Sequence, residues 1–224
     1  MFLKPNRAIF FLLPFFIFSC SGKAPEVSQI WWQLNIEEDH GKGEMTESLS
    51  LFVHGEDEDG EEDLESLYLI NDEHQLFWEI RSDEWNEYSE QSIKWIGSNG
   101  ILAPGEGHFP DGEYRVLLID RAGERDEKEF FLKNRIPDLQ EIQSPEVSYD
   151  LSGITVRTEN PLFQIWFYND QNELVEKSRS YSPGQYDWNQ LSRNIVRRSV
   201  SFVLYTEPES GSWGWISRSY SFSE

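Results

Sequence analysis

From Gln29 to Ile36 the chain alternates without a break: Ile30, Trp32, Leu34 and Ile36 fall in one set, Gln29, Trp31, Gln33 and Asn35 in the other. A period of two puts the sets on opposite faces of an extended strand, one dry and one wet. The beat returns at Leu49, Leu51 and Val53. It returns again in Leu67 to Ile70 and Gln75 to Ile80, which flank the turn-prone Asn71-Asp72-Glu73-His74 and point Leu76, Trp78 and Ile80 inward. Short alternating runs separated by turns commit a chain to packed β layers. The expected class is therefore mainly β.

One stretch breaks the rhythm. Trp85, Tyr88, Ile93 and Ile96 share one arc of a helical wheel, Asp83 can cap the start and Gly97 the end, so a short helix is expected over 84–96. Further on, Pro110-Asp111-Gly112 turns into the run Tyr114 to Ile119. Asp120-Arg121-Ala122-Gly123 then turns back into a strand ending at Phe130-Phe131-Leu132. This phrase resembles the last hairpin of bacterial immunoglobulin-like and fibronectin-III-like domains. The resemblance spans about thirty residues and implies a β-sandwich fold, not an activity.

Polar residues between Pro137 and Pro145 read as a linker, and composition shifts across it. Residues 24–137 carry 29 acids and 9 bases, whereas 138–224 carry 12 and 7. Beyond it, Gly153 to Arg157, Leu162 to Tyr168, Leu174 to Ser178, Ser199 to Tyr205 and Trp213 to Phe222 alternate again, and no internal repeat aligns the two parts. The expectation is two β-sandwich-like domains. An immunoglobulin-like one covers 28–135, a linker 136–145, and a smaller antiparallel β domain 146–224.

The N-terminus has a different character. Lys4 and Arg7 precede Ala8 to Phe18, an uncharged apolar run of eleven residues, too short to span a bilayer and interrupted by Pro14. That is the layout of a secretory signal over 1–19. The run ends in Ile17-Phe18-Ser19-Cys20, which resembles the lipobox of bacterial lipoproteins in the looser form familiar from spirochaetes; Phe18 is bulkier than the usual residue there. The resemblance implies cleavage before Cys20, diacylglycerol on its thiol, a tether over 20–27, and anchoring in the cell envelope, with the outer membrane as the expected address. Cys20 is the only cysteine, so no disulfide is available.

With 41 acids against 19 bases the chain carries a formal charge of −22, which opposes binding to nucleic-acid phosphates and to anionic lipid headgroups. The membrane partner is then reached through the lipid alone, and any further partner is an envelope protein or a glycan. No nucleophile elbow, phosphate loop, zinc-protease helix or dinucleotide fingerprint occurs, so no catalytic residue is nominated and the chain reads as a non-enzyme. Two sites are candidates. Trp213 and Trp215, flanking Gly214, form either an exposed platform for sugar rings or part of the core. Asp57, Asp59 and Asp63, in a run of seven acids around Gly60, echo part of a calcium loop but lack its full spacing, and the alternative is a solvated turn. His40, His54, His74 and His108 form no short ligand pair, so no resident metal or cofactor is expected beyond the lipid and this weak calcium motif.

Overall fold

The computed structural model describes residues 22–38, 44–90, 93–105, 107–171, 174–191 and 195–222. Signal, lipobox and Cys20 lie outside them, as does His40. In chain order the first part holds β1 (Glu26–Glu38), β2 (Met45–Glu56), β3 (Leu64–Asn71), β4 (Leu76–Arg81), β5 (Asn86–Glu90), β6 (Ile93–Leu102), β7 (Gly112–Asp120) and β8 (Arg125–Leu132). The second part holds β9 (Glu146–Tyr149), β10 (Gly153–Arg157), β11 (Leu162–Tyr168), β12 (Leu174–Lys177), β13 (Gly184–Asp187), β14 (Ser201–Glu207), β15 (Gly214–Ile216) and β16 (Tyr220–Ser221). The short helical segments α1 (Trp188–Leu191) and α2 (Ile195–Arg198) precede β14.

In the first part β1-β2-β6-β5 form one layer and β4-β3-β7-β8 the other. This is the A-B-E-D and C′-C-F-G order of an immunoglobulin-type sandwich. The alternation in β1 is realised as read: Leu34 and Ile36 are fully buried, Ile30 and Trp32 pack on the core, and Trp32 meets Phe130 across the layers at 5.7 Å. Tyr114 is fully buried, and its hydroxyl donates to the carbonyl of Pro110, four residues upstream, fixing the corner that launches β7. Burial first, with Glu47 and Asp111 nearby, pushes the Tyr114 phenol up to about 12.

The second part repeats the plan. Sheet β9-β10-β13 lies against β12-β11-β14-β15, again A-B-E over C′-C-F-G, although the two sequences do not align. Its core is aromatic: Phe202 contacts Tyr149, Trp188, Tyr220 and Phe222 at ring distances of 5.1–5.3 Å.

The two parts are joined by a strand pair. The end of β1 runs parallel to β15, with Asn35, Ile36 and Glu37 opposite Gly214, Trp215 and Ile216. One nine-stranded sheet therefore runs β12-β11-β14-β15-β1-β2-β6-β5 through both sandwiches, with β16 as its ninth strand paired to β14. The seam depends on a glycine. A Cβ at Gly214 would stand 2.5 Å from Asn35 Oδ1 and 2.6 Å from the Tyr205 ring, closer than van der Waals contact allows. The stretch read as a linker is not slack either: Ile136, Leu139 and Ile142 pack on the core.

The helix expected over 84–96 is absent. Its described residues form the hairpin β5–β6, with Tyr88 opposite Trp95 and Glu87 opposite Ile96. The helical arc was a coincidence of spacing. Ile93, Trp95 and Ile96 suit a pleated surface, and pairing of β6 with β2 (Ile96 opposite Val53, Gly97 opposite Phe52) decides the outcome over local pattern. Trp85 still faces inward, its indole N–H bonded to the Ile80 carbonyl at 2.9 Å.

Candidate functional site

The nine-stranded sheet has two faces, and the one turned away from the core carries the candidate site. Paired residues in antiparallel strands project to the same side. Across β5, β6, β2 and β1 this gives one row of Asn86, Gly97, Phe52 and Trp31, and beside it a row of Tyr88, Trp95, His54 and Gln29. Trp31 lies 6.0 Å from Phe52 and His54 lies 6.1 Å from Trp95, ring centre to ring centre. Trp31 is 48% exposed and Tyr88 53%, whereas Phe52 beneath Trp31 is only 9% exposed. Trp31 therefore rests on the inner Phe52 ring, and both Trp31 and Tyr88 offer ring surface to solvent.

Gly97 keeps the middle of the strip low. A Cβ there would fall 1.9 Å from the Leu51 carbonyl oxygen, so no side chain can stand between Asn86 and Phe52. His54 is pinned from the side: its Nδ1 is 2.6 Å from Ser28 Oγ and its Nε2 3.3 Å from Glu56. Neither row contains Asp, Glu, Lys or Arg, although 27% of the chain is charged. The uncharged strip continues along the sheet through Gln33, opposite Ser50, and Asn35, whose amide donates to Ser50 Oγ at 3.0 Å.

Farther along the same face, in the second part, the rings are already occupied with one another. Trp166 stacks on Tyr205 at 4.8 Å, Lys177 Nζ sits 4.4 Å over the Trp166 ring, and the Tyr205 hydroxyl donates to Glu207. Burial, reinforced by Glu207, pushes the Tyr205 phenol strongly up.

Trp213 and Trp215 are not a platform. They are 8% and 1% exposed, and Trp215 lies opposite Ile36 on one side and Thr206 on the other, on the core face. Register turns the Trp215 ring inward, and Trp213, just before β15, is buried in the same core. Among the described residues the Trp215 indole N–H meets no acceptor, so packing holds the ring in place.

The acidic turn is local structure. Asp57 accepts the backbone N–H of Asp59 at 2.8 Å, and Asp59 accepts that of Lys23 at 2.6 Å, while the Lys23 ammonium pairs with Glu58. Asp63 sits in a single 3-10 turn (Glu61–Asp63), its carbonyl bonded to the Arg121 N–H. Among the described residues no group of three or more His, Cys, Asp or Glu could hold a metal ion, so Asp57, Asp59 and Asp63 are not brought together as calcium ligands.

A buried carboxylate went unremarked in the sequence. The Glu47 side chain is 0% exposed and accepts the Phe109 N–H at 2.8 Å and the Asn134 amide at 2.6 Å, with His108 Nδ1 at 2.5 Å. Burial pushes its carboxyl up, opposed by those three contacts. It ties the start of β2 to the loop before β7 and to the residues after β8, a structural lock with one exposed imidazole. His74, also exposed, bonds to Asn71 within its own turn.

Sequence reasoning missed the strip because it lay in the polar half of each alternation. Trp31 was the available signal, a large apolar ring in register with Gln29, Gln33 and Asn35. Among the described residues no helix is long and apolar enough to cross a membrane. No family model matches this chain, and comparison with curated proteins finds no match.

Proposed function

We propose that this chain is a lipid-anchored, non-catalytic binding module of the bacterial cell envelope, held at the outer membrane through Cys20 and engaging an envelope protein or glycan. The observation that carries the binding role is the pair of exposed rings Trp31 and Tyr88, with the half-buried Trp95 in the same strip. Exposed aromatic rings set on a rigid sheet are poor surface residues for a chain with no partner and good ones for recognition. The address rests on the leader and on Ile17-Phe18-Ser19-Cys20. Once Lys4 and Arg7 leave with the leader, a body carrying −24 has little affinity of its own for an anionic bilayer, so acyl chains supply the attachment.

The test is metabolic labelling of the producing cell with an alkyne fatty acid, comparing the natural chain with Cys20→Ser. The natural chain takes up label, partitions into detergent and sediments with outer membrane. Cys20→Ser does none of these. An intact leader or an unmodified thiol on the natural chain overturns the anchoring.

A further inference from the structure

We infer that the two rows Asn86-Gly97-Phe52-Trp31 and Tyr88-Trp95-His54-Gln29 form a binding site for a neutral glycan, a reading that rests on the proposed binding role and specifies its ligand. Charge narrows the field first. The strip has no cation to meet a phosphate, sulfate or carboxylate, which sets aside nucleic acid, anionic lipid and acidic polysaccharide. It has no anion among its eight positions either. The one carboxylate at its border, Glu56, faces His54 at 3.3 Å, and a cationic partner is drawn beyond the strip to the carboxylate-dense turn that runs on to Asp63. A second copy of the mature chain would bring another −24 to the same place.

Size narrows it further. Four strands about 4.8 Å apart and two rows about 7 Å apart give a footprint on the order of 250 Å². A stable protein partner covers about 800 Å² on each side. The strip is too small for that and suits two or three sugar rings. Chemistry then fits the remaining class. The exposed faces of Trp31 and Tyr88 can stack on the C–H face of a pyranose, and the amides of Gln29 and Asn86 stand at the edges where hydroxyls project. The level ground at Gly97 lets a ring lie flat between the aromatic pairs.

The experiment is titration of the full chain, in detergent, with maltohexaose, cellohexaose, mannohexaose and a neutral polysaccharide fraction from the producing cell, followed by calorimetry and tryptophan fluorescence. At least one neutral probe binds saturably. Trp31→Ala and Trp95→Ala each weaken it tenfold or more, Trp31→Phe recovers part of the loss, and Phe77→Ala on the opposite sheet leaves it unchanged. Circular dichroism and melting of each variant guard against misfolding. Absence of binding to every neutral probe, or equal binding by Trp31→Ala, overturns the glycan site. If glycans fail while Trp31→Ala, compared in a Cys20→Ser background that lacks the anchor, still abolishes association with isolated envelopes, the binding role stands with a protein ligand. If envelope association is also indifferent to Trp31 and Trp95, both readings fall.

Discussion

Replacing Glu47 tests how the first sandwich is locked. Its carboxylate is fully shielded and holds the Phe109 N–H, the Asn134 amide and His108, joining β2 to two other stretches of chain. Glu47→Ala removes the acceptor from a backbone N–H whose residue is 1% exposed. An orphaned buried donor costs about 1–3 kcal/mol. Asn134 is half-buried and can turn partly to water, so its loss adds less, and a total of about 2–4 kcal/mol is expected. Glu47→Gln keeps the shape and an oxygen for Phe109 while removing the charge. The sign with pH follows from the raised carboxyl. The favourable contribution of Glu47 is full below the ordinary carboxyl range and lost as pH rises through the raised folded value. Lowering the pH from 7 to 5 therefore stabilises the natural chain more than Glu47→Gln. Urea midpoints of the three proteins at both pH values measure this. A loss below about 0.5 kcal/mol for Glu47→Ala, or parallel pH slopes for Gln and the natural chain, refutes the reasoning.

Other expectations follow from the seam and the corner. Gly214→Ala forces a methyl against Asn35 and Tyr205 and should cost about 1–3 kcal/mol by overpacking, with amide exchange rising first at Asn35 to Glu37; no change in exchange there would mean that the seam does not join the parts. Tyr114→Phe loses one bond to the Pro110 carbonyl, about 0.5–1.5 kcal/mol by urea unfolding, and removes a phenol that ultraviolet titration should find ionising near 12. Trp215→Ala empties a site that is 1% exposed and should cost about 3–5 kcal/mol, whereas Trp31→Ala should cost under about 1 kcal/mol; thermal melts distinguish them.

Much of the architecture was written in strand periodicity. The core face of β1, the β3–β4 hairpin and the β7–β8 hairpin all emerge from alternation and turn residues, because each is a local contact. The limits of β10 and β11 also match the alternating runs Gly153 to Arg157 and Leu162 to Tyr168. What failed was non-local. Nothing near residues 84–96 announces that β6 pairs with β2, and nothing near Trp213 says which side of β15 meets Ile36. The parallel pairing of β1 with β15 links residues about 180 positions apart, beyond the reach of any local pattern. The repeated strand order of the two parts was hidden for a related reason. A sandwich specifies inward and outward positions, and Leu, Ile and Val in the first part are replaced by Phe, Tyr and Trp in the second without altering the order.

The outer face of the long sheet, and not the buried Trp213–Trp215 pair or the acidic turn, is the surface proposed to meet the ligand. Hydroxyl-radical footprinting of the full chain, with and without neutral polysaccharide from its own envelope, addresses that claim side chain by side chain. Protection confined to Trp31, Tyr88 and Trp95, with Phe77 and Phe131 on the other sheet oxidised equally in both samples, is the predicted result. Unchanged oxidation of Trp31 and Tyr88 under saturating polysaccharide, or protection centred on Phe77 and Phe131, would contradict it.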